Sequence, residues 1–161
     1  MDTTYDYTKP ELNLMFDLLR RSNGGFPLDP SELSWGIASR VVPEDHNGRD
    51  TSIVASIINS DRYRGSGTYF YHRVPLRQLL PQYGLIPRIL IGVRPTLHEN
   101  LAYINTALSL NLEMASVDDI DLNLKLVNVS DWTSVRIYAK ATSRVYSESV
   151  RLWLKRDNAL G

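Results

Sequence analysis

The chain has 161 residues, 43% hydrophobic and 22% charged, a mixture typical of a folded globular domain and unlike disordered, collagen-like or disulfide-scaffold sequences. Lysine and arginine total 18 against 18 aspartate and glutamate, so the formal charge is zero and a strongly basic nucleic-acid binder is disfavoured. Cysteine is absent, which excludes disulfides, thiol nucleophiles and Cys-ligated metal centres.

Met1 to Tyr7 shows neither the basic nor the apolar segment of a secretory signal; it reads as an N-terminal arm, with synthesis in the cytoplasm expected. Too poor in apolar surface to fold alone, the arm is expected to be ordered only against a neighbouring chain. From Thr8 the pattern becomes helical. Thr8 and Glu11 fit a capping box, Pro10 suits the first turn, and Leu12, Met15, Phe16 and Leu19 share one face. Asn23-Gly24-Gly25 supplies the stop. Trp35, Ile37, Ser39 and Val41 then alternate as a strand, Pro43 to Gly48 reads as a polar turn, and Thr51 to Ile58 is a β-branched strand. Arg64-Gly65-Ser66-Gly67 is a turn leading into a third strand, Thr68 to Val74.

Pro75 to Arg94 is too apolar for a flexible linker and reads as an ordered connector, with at most a helical turn at Leu76, Leu79 and Leu80. Its run Leu85 to Val93, broken by Pro87 and Arg88, falls far short of the roughly 20 apolar residues that cross a bilayer, so no membrane association is expected. Thr96 and Glu99 form a second capping box, with Leu97, Leu101, Ile104 and Leu108 on one helical face. Three alternating segments follow: Ile120 to Val127, Ser134 to Ala141, and Val150 to Lys155.

The second half thus repeats the element order of the first. Leu28 to Leu33 parallels Met114 to Ile120, Thr51-Ser52-Ile53 parallels Thr133-Ser134-Val135, and Tyr63 to Arg73 parallels Tyr146 to Arg156, at offsets of about 82 to 87 residues. The expected fold is α+β: a tandem duplication of a helix plus three-stranded antiparallel meander unit. Its parts are an arm (1–7), a first repeat (8–74), the connector (75–94), a second repeat (95–156) and a C-terminal tail (157–161). Units of this size are marginal alone and are expected to share a core.

The chemistry-bearing residues are sparse. His46, His72 and His98 lack partners at metal-ligand spacing, Asp118-Asp119-Ile120-Asp121 lacks the glycine and distal glutamate of a calcium loop, and Gly65-Ser66-Gly67 precedes a strand rather than a helix. No metal, cofactor or catalytic residue is assigned. A small hydrolase built on the Glu44 to Asp50 loop is one rival reading. Another is a ligand-binding module for glycan or single-stranded nucleic acid, using Tyr63, Tyr69, Tyr71 and the adjacent arginines.

Contact surfaces are better supported. Fourteen of the 18 basic residues are arginine, the cation enriched at protein interfaces. Alternation places Tyr69, Tyr71, Tyr138 and Trp153, beside Arg73, Arg136 and Arg151, on outward strand faces, which favours oligomerisation.

The helix of Leu12 to Asn23, the acidic turn Leu28-Asp29-Pro30-Ser31-Glu32-Leu33 and the sheet running through Tyr63-Arg64-Gly65-Ser66-Gly67 into alternating aromatics together resemble a repeat module in virion structural proteins of large tailed bacteriophages. Pro95 to Asn105, with Asp118-Asp119-Ile120 beyond it, is similar to the start of a second copy. The likeness runs from about Lys9 to Arg156, although Tyr146-Ser147-Glu148-Ser149 lacks the glycine expected in its turn. It implies a non-enzymatic particle component of head, neck, tail or baseplate, made in the host cytoplasm. Such a component would be homo-oligomeric, partnered by other virion proteins, and carry no catalytic residues.

Overall fold

Helix α1 spans Glu11–Ser22 and buries Leu14, Met15, Phe16, Leu18 and Leu19, while Leu12 faces solvent. It begins later than the Thr8 capping box suggests. Thr8 instead bonds the Asp6 carboxylate through its amide and hydroxyl (3.1 and 2.6 Å), and Pro10 stands extended at the N-cap with ψ 144°. Gly24 and Gly25, at φ +72° and +115°, end the helix in the left-handed region that glycine tolerates. The computed structural model describes residues 5–25, 28–80 and 85–161.

The first sheet centres on β3 (Thr51–Ile57), paired antiparallel with β4 (Ser66–Tyr71) on one side. Its other side carries both β1 (Leu33–Trp35) and β2 (Ser39–Arg40). The segment expected as one strand is therefore bulged. Three residues, Gly36 to Ala38, stand opposite Ile53 and Val54 between the pairs Trp35↔Ala55 and Ser39↔Ser52. The Gly36 amide still donates to the Val54 carbonyl at 2.9 Å.

Beyond Tyr71 the chain leaves the first sheet. Strand β5 (Val74–Pro75) pairs in parallel with β8 (Tyr146–Ser147), and a 3₁₀ turn follows over Leu76–Leu79. The connector also holds a strand, β6 (Arg88–Ile91); residues 81–84 lie outside the described residues. Helix α2 (Leu97–Leu108) starts at the Thr96–Glu99 capping box, with the Glu99 amide donating to Thr96 Oγ1 at 3.2 Å. The second sheet has the order β6-β9-β7, with β9 (Ser149–Arg156) central, parallel to β6 and antiparallel to β7 (Thr133–Tyr138). It is not a purely antiparallel meander.

The expected strand from Ile120 to Val127 is instead a short helix, α3 (Asp121–Lys125). The segment has leucines but almost no β-branched residues, and Lys125 pairs with Asp121 at 2.7 Å, one helical turn away. Alternation would have buried Leu122, Leu124 and Leu126 together. Helical spacing buries Leu124 and Val127 and leaves Leu122 and Leu126 each 75% exposed.

One principal core joins both halves: Leu14, Met15 and Leu19 of α1 meet Leu97, Leu101 and Ile104 of α2 and the inward side chains of both sheets. Tyr7 belongs to this core, 3% exposed, and its carbonyl accepts from the Asn111 amide at 2.9 Å. The inner part of the arm is thus held within the chain rather than by a neighbour; Met1 to Thr4 lie outside the described residues.

A polar clasp on the backbone around residues 141–146 binds the halves. The Glu11 carboxylate, on a residue 5% exposed, accepts from Arg144 N (2.9 Å) and from the hydroxyls of Ser116 and Ser143. Tyr71 Oη donates to the Arg144 carbonyl (2.6 Å), Arg73 Nη1 to the carbonyls of Ala141 and Ser143 (3.0 and 3.2 Å), and Val74 N to the Val145 carbonyl (2.7 Å). Hydrogen bonds to a charged group each stabilise by about 1.5–3 kcal/mol, and leaving their partners buried and unpaired is costly.

Three outcomes follow from this packing. Glu11→Ala lowers unfolding stability by about 3 kcal/mol in urea titrations, whereas Glu11→Gln, which keeps the shape and one acceptor, loses less than half of that. At Glu148, φ is +60° on a non-glycine residue, so Glu148→Gly relieves backbone strain and stabilises by about 1 kcal/mol in an Arg77→Ala background, where its ion pair with Arg77 is already absent. Burial holds the Tyr71 and Tyr146 phenols well above their ordinary 10.0. The folded chain then keeps protons that the unfolded chain releases, so stability is full below pH 10 and falls above it, by up to about 1.4 kcal/mol per pH unit for each phenol. Tyrosinate absorbance from these two residues should rise only together with loss of the far-ultraviolet dichroism.

Candidate interface surfaces

The two open sheet faces differ because their outward positions carry different chemistry. In β7 and β9 the alternating residues Val135, Ile137, Val150, Leu152 and Leu154 are buried, which turns the intervening side chains outward. Arg136, Tyr138 and Arg151 are exposed and Trp153 is half-buried. Register aligns Ser134 with Trp153 and Tyr138 with Ser149, and sets Arg136 directly opposite Arg151. These four predicted residues do share one face.

Strand β6 widens it. Ile89 and Ile91 are buried while Arg88 and Leu90 are exposed, and the parallel register puts Arg88 beside Trp153 and Leu90 beside Lys155. The Arg88 guanidinium lies 5.7 Å from the ring centre of Trp132, within cation–π range. Of the further residues on or beside this face, Arg88 lies in the stretch the sequence reads as connector, Trp132 just before a predicted strand, and Lys155 at an outward position of its predicted strand without being singled out. The signal was there: Arg88-Ile89-Leu90-Ile91 alternates in side-chain direction if Ile89 and Ile91 are the inward pair.

No carboxylate occurs in β6, β7 or β9, so this face presents Arg88, Arg136, Arg151 and Lys155 without a compensating acid from its own strands. Like charges directly opposite on an antiparallel pair destabilise it unless an anion lies between them.

The remaining predicted interface residues lie elsewhere. Tyr71 is fully buried and Arg73 is 8% exposed, both bound to the loop of the second half as described above. Tyr69 is half-buried and packs against the core. Alternation gave the wrong face here: the inward set on β4 is Tyr69 and Tyr71, opposite Ile53 and Thr51, and Phe70 points outward. The outer face of the first sheet is hydroxyl-rich and uncharged, with Ser34, Ser52, Ser56, Ser66 and Thr68 around Val54 and Phe70.

The polar loop before β3 forms a 3₁₀ turn over Pro43–His46, with left-handed Asn47 and Gly48. The His46 ring stacks on Phe70 at 4.0 Å, while Asp50 Oδ1 accepts from Thr51 Oγ1 (2.7 Å) and Arg73 N (3.2 Å). Imidazole and carboxylate are thus engaged in separate contacts. Among the described residues no three His, Asp or Glu side chains are grouped to hold a metal ion, and no helix is long and apolar enough to cross a membrane.

The profile of one protein family matches residues 4–161, nearly the whole chain. No curated protein and no solved structure matches it. With a match of that extent, the chain belongs to the family described as "Family of unknown function (DUF7941)".

Proposed function

We propose that this chain is a non-enzymatic structural subunit of a bacteriophage virion, a head, neck, tail or baseplate component, that assembles by docking the open face of β6, β9 and β7 onto an acidic surface of a neighbouring subunit. The carrying observation is the opposed pair Arg136 and Arg151 on a face with four cations and no strand carboxylate. An acidic partner converts that repulsion into charge-assisted pairing, and Trp153 and Tyr138 supply the amphipathic area that interface hot spots use. The resemblance to tailed-phage virion modules supplies the setting, with synthesis in the host cytoplasm and homo-oligomers in the particle.

The same reading takes the chain as a tandem duplication of a helix-plus-meander unit. Several offsets support it: α1 and α2, β3 and β7, and β4 and β9 begin 82 to 86 residues apart. The β1–β3 pair Leu33↔Ile57 has its counterpart in the antiparallel bridge Val117↔Ala139. Gly65 and Glu148 hold corresponding left-handed positions, at φ +114° and +60°, where the second turn lacks its glycine.

A second reading, single-stranded nucleic acid on this same face, draws support from Trp132, Tyr138 and Trp153 interleaved with arginines, the combination that stacks bases and neutralises phosphates. It cannot use Tyr71, which is in the core.

Purified particles, cross-linked and analysed by mass spectrometry, should contain the chain with Lys155 joined to an acidic neighbour. Arg136→Glu with Arg151→Glu should abolish incorporation while the free subunit stays folded, and Trp153→Ala should weaken association by about 2 kcal/mol. Particles lacking the chain, or unimpaired incorporation of the charge-reversed subunit, would overturn the proposal. Saturable binding of an oligonucleotide that weakens steeply with salt would favour the second reading.

A further inference from the structure

Independently of that docking face, we infer that a cleft at the C-terminal end of α1 binds the phosphate groups of a polyphosphate-type anion. The cleft, about 570 Å³, lies between the end of α1, the start of β3 and the passage from β4 to β5, within the size range of small-ligand sites. Among the described residues, Arg21, Arg49, His72 and Arg73 line it, together with a single carboxylate, Asp50.

The arginines come from three places in the chain and are held in position. Arg21 lies 5.3 Å from the centre of the Tyr5 ring, and Arg49 Nη2 donates to the Ser22 carbonyl at 2.5 Å. Arg73 is anchored through Nη1 alone, and its buried Nε has no hydrogen-bond partner. Among the described residues, no ion pair within 4.0 Å involves any of the three. Asp50 meanwhile spends Oδ1 on the Thr51 hydroxyl and the Arg73 backbone amide, not on a guanidinium.

Interaction with the α1 carbonyl end accounts for Arg21 and Arg49 in part. It does not account for Arg73, which comes from beyond β4 and is buried as a cation with no carboxylate paired to it, an arrangement with a high desolvation cost. Among the described residues that line the cleft, three guanidinium groups stand against one carboxylate, a local excess of two positive charges. A lone carboxylate ligand would neutralise half of that; a phosphate dianion or a phosphate chain neutralises all of it and offers the several oxygens that forked guanidinium donors engage.

The anion could come free, as polyphosphate, or as part of a nucleoside polyphosphate, and calorimetric titration of the full chain separates the two. Sodium tripolyphosphate is expected to bind saturably at one site, with affinity falling as salt rises. Arg21→Gln and Arg49→Gln should each weaken it by at least about tenfold. Arg21 is exposed, so its variant remains decisive if Arg49→Gln loses the fold. Equal affinity for adenosine triphosphate and tripolyphosphate would mean that the phosphate chain alone is recognised; markedly tighter nucleotide binding would identify the nucleoside form. The pair Arg136→Glu and Arg151→Glu, which lines no part of the cleft, should leave binding unchanged. Absence of saturable binding at millimolar ligand, binding that survives both cleft substitutions, or loss of binding in the sheet-face variant would each overturn the assignment.

Discussion

The polar contacts that orient one half of the chain on the other concentrate on the backbone around residues 141–146. From one side the buried carboxylate of Glu11 accepts its hydrogen bonds; from the other, Tyr71, Arg73 and Val74 donate to its carbonyls and continue into the parallel β5–β8 pair. Apolar burial supplies the larger energy but is indifferent to orientation. The clasp is directional: it determines how α1 and the first sheet sit on the second, because any other docking would strand a buried carboxylate and several backbone groups without partners. Glu11 is the first residue of its helix, so the same contacts that satisfy its charge also fix where α1 begins.

Because the inward faces are consumed by the shared core, the outward faces are what the molecule can present. They are chemically distinct: hydroxyls and two apolar side chains on the first sheet, arginine, lysine and aromatics on the second. With the formal charge at zero overall, a basic sheet face means that the compensating acids lie elsewhere on the chain, including the exposed Asp118 and Asp119 beyond α2. A neutral protein with segregated charge is suited to head-to-tail contacts between copies, since each copy carries both complements.

The cleft at the end of α1 shows the same segregation at smaller scale. Arginine's planar fork lets it be fixed by one nitrogen and still carry other donors, so Arg49 and Arg73, which both line the cleft, each bind backbone carbonyls through a single nitrogen. Lysine in those places would be a point charge with less capacity to do both.

Local pattern by itself determined much of the outline. The Thr96 capping box placed α2, glycines marked the end of α1, β-branched composition located β3, and period-two alternation located β7 and β9 together with Arg136, Tyr138, Arg151 and Trp153 on one face. Those features depend on contacts between near neighbours in the chain or on a clear division between inside and outside. Tertiary structure decided the rest. Tyr71 and Arg73 have side chains that serve equally at a surface or in a satisfied interior, and only the approach of a loop some 70 residues away supplied the carbonyls that bury them. The Leu122, Leu124, Leu126 series reads as a strand until no neighbouring strand is available to pair with it, and the i,i+4 ion pair and helical propensity then prevail. Arg88 to Ile91 became a strand because the edge of β9 was open to it, a vacancy that belongs to the assembled sheet and is written in no single segment.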